Sequence, residues 1–321
     1  MRKSRLLAKV ILSSAAVTIF SQVAFSQDSN ILQPIDEIEQ KLKNEQFEVF
    51  RIRDLRFEGD ITKRAILRFP ENQMLQVKWK RSAEGGWAIN NEPRYEIAAY
   101  ELQKLFLSPS EFVVPPTVAR ALPVSQYQNI EKHVSPTFKN TKDVIYVLQY
   151  WLEQVSMDNI YDKKRFESDT TYARHFANMN ILSYLIEHKD ANRGNVLISS
   201  DPNNPRVFVV DNGFSFESPE SNRGDTWRKI RVKRLPKKTV DRLRQINRED
   251  LENSLAVVAQ FEWQDGLLKL VEPTAKMNKK RGVHHSGNII QFGLTKFEIS
   301  GLERRLKKLL GRVDSGKLKT F

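Results

Sequence analysis

The chain has 321 residues, of which 40% are hydrophobic and 28% charged, and its formal net charge is +13 at pH 7. It contains no cysteine, which excludes disulfides, zinc–thiolate sites and a cysteine nucleophile. The length suits one large domain or two lobes with a sizeable core. The positive charge favours an acidic partner, such as a nucleotide, an anionic membrane surface or an acidic or phosphorylated protein.

Residues 1–26 have the pattern of a signal peptide. Basic residues at the start precede an apolar run over residues 10–20, and residues 24–26 supply small residues for cleavage near Ser26. The apolar run is shorter than the roughly 20 residues that a membrane-spanning helix needs, and no later stretch is long and apolar enough. We therefore expect export, periplasmic or secreted, with an uncleaved membrane anchor as the alternative.

The next part of the chain changes from helical to strand character. Residues 27–46 form an N-terminal extension with a short amphipathic helix predicted over residues 35–42. Within the region 47–150, residues 47–81 contain stretches in which polar and apolar residues alternate, as in 49–53 and 65–69. This alternation predicts three to five antiparallel strands.

The predicted strands are separated by turn residues, including a break at Gly59 and Asp60. The third strand carries Lys78 between apolar residues. Taken alone, Lys78 and Lys80 are better explained as two solvated cations on an edge strand.

A helix is predicted to begin near Pro93, because Ile97, Leu102 and Phe106 lie at helical spacing. Glu96 lies in its first turn, where the helix dipole by itself explains a carboxylate.

Residues 142–155 form a dense apolar and aromatic run. The run is either the strand that connects the region 47–150 to the region 151–321, or a buried strand or helix with no ligand. If this run binds a ligand, the candidate positions are Val147, Leu148, Gln149 and Tyr150. The pattern does not determine which of them would contact it.

A broad apolar face predicts a helix over residues 170–187, which His188 closes. Residues 188–216 then contain two short apolar runs on either side of the turn-forming segment 201–205. The simplest interpretation is a β-hairpin with a polar loop before its first strand and another after its second.

Such a hairpin returns the chain to its starting point, so Asp190, Asn195 and Asp211 are expected to converge. Two carboxylates and an amide oxygen are hard ligands that suit Mg²⁺ or Mn²⁺. The alternative is an Asx-rich hairpin with two solvated loops, since turns favour these residue types.

The C-terminal part is basic. Residues 223–244 hold ten basic and two acidic residues, so this segment is either a solvated helix face or a surface for an acidic partner. Two further helices are predicted over residues 248–270 and 295–310. His284 and His285 are assigned to a loop rather than to a metal site, and residues 307–319 are expected to form a frayed basic tail.

The spacing HxDxxxxN, followed by a strand pair and then DxG, resembles the catalytic and metal-binding loops of the protein-kinase-like superfamily. The spelling Gly194-Asn195, together with EIAAYELQKLF and the following VPPTVAR, is closer to an atypical branch. This branch comprises the secretory-pathway kinases (Golgi casein kinase and four-jointed), the type II phosphatidylinositol 4-kinases and the aminoglycoside-type phosphotransferases. The chain lacks the GxGxxG of ordinary protein kinases.

The resemblance implies an α+β, bilobal protein-kinase-like fold. Residues 47–150 would form an antiparallel-sheet N-lobe with one helix, ending at the hinge. Residues 151–321 would form a mainly helical C-lobe with the catalytic hairpin 188–216 and basic C-terminal helices.

The resemblance also implies roles for individual residues. Asp190 would be the catalytic base, and Asn195 and Asp211 the metal ligands. Lys78 would reach the nucleotide phosphates, and Glu96 would hold Lys78 or approach the metal.

The resemblance implies further roles in the hinge and in the loop of Asp190. Gln149 and Tyr150 would be the hinge positions that bind adenine. His188 would stabilise the loop structurally, and Asn192 and Arg193 would contact substrate or phosphate.

The implied activity is transfer of the γ-phosphate of ATP, with Mg²⁺ or Mn²⁺, to a hydroxyl of a protein, glycan or lipid. Two alternatives remain: a pseudokinase that uses the fold only for binding, and a basic envelope protein that binds anionic polymers. Nucleic acid is disfavoured as a partner, because the chain has no nucleic-acid-binding motif.

Overall fold

The computed structural model describes residues 28–55, 61–89, 91–219, 221–273 and 281–321. The predicted signal peptide and the predicted break at Gly59 and Asp60 lie outside these ranges. Within them, every helix is too short or too polar to span a bilayer.

The first half of the chain folds as an antiparallel sheet with one long helix. A helix, α1 (Ile35–Asn44), precedes the sheet, and α2 (Pro93–Lys104) lies between its third and fourth strands. The strands are β1 (Glu48–Asp54), β2 (Thr62–Arg68), β3 (Met74–Arg81), β4 (Thr117–Pro123) and β5 (Asp143–Tyr150), in the spatial order β1-β2-β3-β5-β4. The prediction of three to five strands over residues 47–81 is confirmed by β1, β2 and β3, and the predicted helix at Pro93 is confirmed by α2.

The sheet forms because alternate residues of its strands are apolar and become buried together. Trp79 of β3 stacks on Tyr146 of β5 with ring centroids 4.0 Å apart, and its Nε1 donates to the Tyr127 hydroxyl at 2.8 Å. Because β3 pairs with β2 on one side and β5 on the other, it is a central strand. The interpretation of Lys78 and Lys80 as solvated cations on an edge strand is therefore wrong.

The second half is built around α5 (Thr170–Leu185), which the sequence predicted and most of whose residues are buried. Asp169 caps this helix by accepting a hydrogen bond from Tyr172 N at 3.0 Å. The short helix α3 (Val124–Tyr127) belongs to the first half and lies between β4 and β5. The second half contains, besides α5, the elements β6 (Val155–Ser156), α4 (Lys163–Ser168), β7 (Val196–Ser199), β8 (Val207–Val209), β9 (Arg234–Leu235), α6 (Lys237–Leu243) and α7 (Arg248–Leu255).

The predicted helix over residues 248–270 is wrong beyond Leu255. The chain continues as two strands, β10 (Ala259–Gln264) and β11 (Leu267–Val271), joined by the Asp265-Gly266 turn, where both residues have positive φ. An Asp-Gly pair between alternating residues is the usual signal for a tight hairpin, and here it overrides the helical spacing.

Two more strands complete this sheet. They are β12 (Val283–Ser286) and β13 (Ile289–Phe292), so the assignment of His284 and His285 to a loop is also wrong. Phe261 and Phe292 of this sheet share a buried cluster with Val147 of β5, so the second sheet packs on the first one.

The C-terminus is ordered rather than frayed. The helix α8 (Lys296–Asp314) extends beyond its predicted end, and β14 (Lys319–Thr320) pairs in parallel with β9. Leu306, Leu309 and Leu318 are buried in the same apolar core as α5, which holds the tail against the body of the chain.

Candidate active site

A cavity of about 590 Å³ lies between the first sheet and the β7–β8 hairpin. Six of the seven predicted site residues line it, and the seventh, Glu96, reaches it through lysine contacts. The six are Lys78, Gln149, Tyr150, Asp190, Asn195 and Asp211.

The hairpin brings the two polar loops together as the sequence predicted. Val196 pairs with Val209, and Val210 N donates to Asn195 O at 2.9 Å, so Asp211 follows directly beside Asn195. Asp211 has a φ of 58°, a left-handed conformation that Asp tolerates better than most residues.

His188 supports the hairpin from the inside. Its Nε2 lies 3.2 Å from Val210 O, and its Nδ1 accepts from Asp190 N at 3.1 Å. These contacts require a neutral ring with the proton on Nε2, and burial lowers the pKa of His188 accordingly. They are the structural contacts that the sequence predicted for His188.

Asp190 is buried, and hydrogen bonds fix its carboxylate. Asn192 Nδ2 donates to Oδ1 at 2.7 Å, and Asn195 Nδ2 donates to Oδ2 at 3.0 Å. Arg223 forms an ion pair with Oδ1 at 2.9 Å. The sequence marked residues 223–244 as a basic segment but did not single out Arg223 as a site residue.

Lys78 and Lys80 meet the same two carboxylates. Lys78 Nζ lies 3.2 Å from Glu96 Oε1 and 2.9 Å from Asp211 Oδ1, and Lys80 Nζ lies 3.1 Å from each of these atoms. The sequence pattern did not assign Lys80 to the site, although the two-residue period of a strand places it on the same face as Lys78.

The electrostatics of this cluster favour the charged forms. Burial raises the pKa of Asp211, but the charges of Lys78 and Lys80 outweigh it and hold this pKa well below its usual value. Burial lowers the pKa of Lys80, but Asp211 and Glu96 outweigh it and raise this pKa.

Both carboxylate oxygens of Glu96 have hydrogen-bond donors, with Lys78 and Lys80 at Oε1. Its Oε2 accepts from Asn212 N at 2.9 Å, which ties α2 to the loop that carries Asp211. Gly213 leaves room for the cluster, because a β-carbon there would lie 3.0 Å from Lys80 Nζ and 3.2 Å from Glu96 Oε1.

The strand β5 brings the two predicted hinge residues to the cavity wall, but their polar groups already have partners. Gln149 Nε2 donates to Thr117 Oγ1 at 2.9 Å, and Tyr150 N donates to Pro116 O at 2.8 Å. A nucleotide base that used the Tyr150 amide would have to displace this contact, so the register of the hinge remains a prediction.

The donor set fits a divalent cation that also binds phosphate. Asn195 uses its Nδ2 to donate to Asp190, which leaves its amide oxygen for a metal, and the Asp211 side chain is 37% exposed. Within the described ranges no group of three or more His, Asp or Glu residues forms a metal site. Two oxygen ligands from the protein suit Mg²⁺ or Mn²⁺ that takes its other ligands from a nucleotide.

Comparison with known proteins shows the fold. No family model and no curated protein matches the chain. Among solved structures, the structure of hydra Fam20 with sugar matches with a TM-score of 0.52 and 16% sequence identity, over 88% of this chain and 88% of that one. This likeness confirms the predicted α+β kinase-like fold.

Proposed function

We propose that the chain is a phosphotransferase that moves the γ-phosphate of ATP to a hydroxyl acceptor. The observation that carries this proposal is the convergence of Lys78, Asp190, Asn195 and Asp211 on one cavity in a kinase-like fold. Phosphoryl transfer needs positioning and charge neutralisation rather than covalent chemistry from the protein, and these residue types supply both.

Asp190 is the catalytic base of the proposed reaction. The acceptor oxygen attacks the γ-phosphorus and forms a new P–O bond, while its proton passes to the Asp190 carboxylate. The bond to the β,γ-bridging oxygen breaks, and its electron pair leaves with the nucleoside diphosphate. The hydrogen bonds from Asn192 and Asn195 hold the Asp190 carboxylate in place for this step.

Lys78 binds the nucleotide phosphates, and Glu96 keeps it oriented through their contact of 3.2 Å. Asn195 and Asp211 hold the Mg²⁺ or Mn²⁺ ion, which when bound neutralises negative charge on the phosphates. Gln149 and Tyr150 line the cavity. In the proposed complex they form the wall on which adenine rests.

The acceptor is a hydroxyl of a glycan, a protein or a lipid. The likeness to hydra Fam20, whose structure contains sugar, favours a glycan among these. The same likeness to a secretory-pathway kinase is compatible with export of this chain.

A second candidate is a pseudokinase that binds a ligand without catalysis. It is favoured by the fact that both key carboxylates are already paired with cations, Asp190 with Arg223 and Asp211 with two lysines. The other alternative, a basic envelope protein that binds anionic polymers, also lacks catalysis.

The binding claim is tested by the thermal midpoint of residues 27–321, with and without ATP plus Mg²⁺ or Mn²⁺. A ligand that binds only the folded state raises the midpoint, and the rise should vanish in Asp211→Ala. If millimolar nucleotide does not raise the thermal midpoint, the proposed phosphotransferase function is contradicted.

The catalytic claim needs a separate variant, because a pseudokinase also binds nucleotide. Asp190→Asn keeps the shape of the side chain and should retain the midpoint shift while nucleotide turnover falls at least a hundredfold. Equal turnover by both proteins would show that Asp190 is not the catalytic base, and a midpoint shift without turnover in the unaltered protein would leave the pseudokinase. An export-reporter fusion of residues 1–26 tests the predicted destination, and cytoplasmic retention would contradict it.

A further inference from the structure

Two ammonium groups bridge the same two carboxylates at one end of the cavity. Each of Lys78 and Lys80 lies within 3.2 Å of both Glu96 Oε1 and Asp211 Oδ1. A single lysine would be enough to orient Glu96, so the second one calls for its own explanation.

The two lysines differ in their surroundings. The side chain of Lys80 is 6% exposed and that of Lys78 is 12% exposed. The loop after Asp211 accommodates the Lys80 ammonium through Gly213, whose missing β-carbon would lie 3.0 Å from Lys80 Nζ. The packing around Gly213 therefore holds the Lys80 ammonium group in the protein interior.

The charges of the cluster are already balanced. Lys78 and Lys80 contribute two positive charges, and Glu96 and Asp211 contribute two negative ones. A divalent cation placed between Glu96 and Asp211 would add two positive charges beside the ammonium groups of Lys78 and of the buried Lys80, which electrostatic repulsion opposes. Glu96 is also only 2% exposed, and its second carboxylate oxygen accepts from Asn212 N.

We propose that Lys80 is a permanent internal cation between Glu96 and Asp211, so that the site binds its nucleotide with one divalent ion instead of two. This inference rests on the proposed function. The single ion is held by Asn195 and Asp211, Glu96 is not a metal ligand, and Lys80 is a positioning residue. Lys78 contacts the nucleotide phosphates.

The test counts metal ions rather than turnover. Residues 27–321 are titrated with Mn²⁺ in the presence of the non-hydrolysable β,γ-imido analogue of ATP, and free Mn²⁺ is measured by electron paramagnetic resonance. The expected result is one nucleotide-dependent Mn²⁺ per chain. Two such ions would contradict the proposed role of Lys80 but would still be consistent with a phosphotransferase. The absence of any nucleotide-dependent ion would contradict the proposed function itself.

Variants then assign the effect to one lysine. Lys80→Met uncovers the two carboxylates, so a second Mn²⁺ is expected to bind. Lys78→Met keeps Lys80 and should stay at one ion, while affinity for the analogue falls by roughly tenfold or more because an ionic hydrogen bond to phosphate is lost. A second ion in Lys78→Met and not in Lys80→Met would overturn the assignment.

Removing Lys80 alone leaves buried negative charge, which endangers folding. The double variant Lys80→Met/Glu96→Gln removes one charge of each sign and should fold. It should also stay at one ion, because the second carboxylate is gone. If Lys80→Met does not fold, the count in the unaltered protein and in Lys78→Met still decides the proposal.

Discussion

The Arg223 guanidinium lies 2.9 Å from Asp190 Oδ1, the carboxylate oxygen that the proposed reaction uses as a base. The contact is held by the neighbouring Gly224, where an added β-carbon would lie 2.6 Å from the carbonyl carbon of Lys189. The segment that contains Arg223 and Gly224 thus packs closely against the loop that carries Asp190. An acceptor hydroxyl that approaches Asp190 has to displace Arg223.

Arg223→Ala should therefore improve use of the acceptor. The Arg223 side chain is 58% exposed, and an ion pair of this kind contributes about 1 kcal/mol or less. We expect the KM for the acceptor to fall by up to roughly fivefold, with little change in the free energy of unfolding. Steady-state kinetics measure this, and Lys229→Ala is the control because Lys229 is an exposed cation of the same segment. A large fall in turnover would show that Arg223 binds the acceptor or the phosphate instead.

Gly213→Ala should disturb the lysine–carboxylate cluster. The new methyl group would lie 3.0 Å from Lys80 Nζ and 3.2 Å from Glu96 Oε1, closer than normal contact. We expect a loss of about 1–3 kcal/mol in the free energy of unfolding and weaker nucleotide binding, both measurable by denaturation with and without nucleotide.

The matched control is Gly311→Ala, since a β-carbon at Gly311 in α8 meets open space. It should stabilise the chain by about 0.5–1 kcal/mol through helix propensity. Equal effects of the two substitutions would mean that the space at Gly213 is not needed.

Arg94 connects the start of α2 to α8 through a buried two-pronged ion pair with Glu298, at 2.7 and 2.9 Å. Arg94→Met leaves the Glu298 carboxylate buried and unpaired, which should cost about 3–5 kcal/mol in unfolding free energy. The double variant Arg94→Met/Glu298→Leu removes both charges and should regain most of this loss.

Urea denaturation of the four proteins in the double-mutant cycle gives the coupling between the two residues. Losses that simply add would contradict the buried pair. Glu96 lies one turn into the same helix, so the affinity for nucleotide should fall along with stability in the single variant.

The buried histidine His175 should make the protein less stable in mild acid. Burial, followed by the positive charges of Arg206 and Arg174, lowers the pKa of His175 to about 3. Below the unfolded-state pKa of about 6.5, the unfolded chain takes up a proton that the folded one refuses, so stability falls as the pH falls from about 7 towards 3.

Between pH 7.5 and 5.5 this single group should remove about 1.4 kcal/mol of unfolding free energy. His175→Gln should lose correspondingly less over the same interval, and His133→Gln, at an exposed position, should follow the unaltered protein. Urea denaturation at the two pH values measures the difference. Identical slopes for all three proteins would refute the assignment.

Local features of the site were predictable from the sequence because they depend on neighbours along the chain. The alternation of apolar residues and the turn between β7 and β8 determine the hairpin, and the hairpin brings Asp190, Asn195 and Asp211 to one point. The caps and apolar face of α5 likewise act within a few residues. The fold class was predicted from the resemblance that the spacing of these motifs carries.

Competing local signals explain the main error in the fold. Residues 248–270 satisfy helical spacing, but after Leu255 the Asp265-Gly266 turn and the apolar face of the first sheet select strands. Packing against Val147 of β5 makes the strand arrangement more favourable, and such long-range burial is not visible in periodicity.

The sequence alone determined which residue types surround the cavity, while the tertiary structure decided how they are paired. Lys80 and Asp211 are 131 residues apart, and Glu96 reaches Asn212 across 116 residues. Strand alternation places Lys80 on one face of β3 but does not say which carboxylates lie there. That choice depends on how α2 and the hairpin dock on the sheet, and buried ion pairs form only where docking brings opposite charges within a few ångströms.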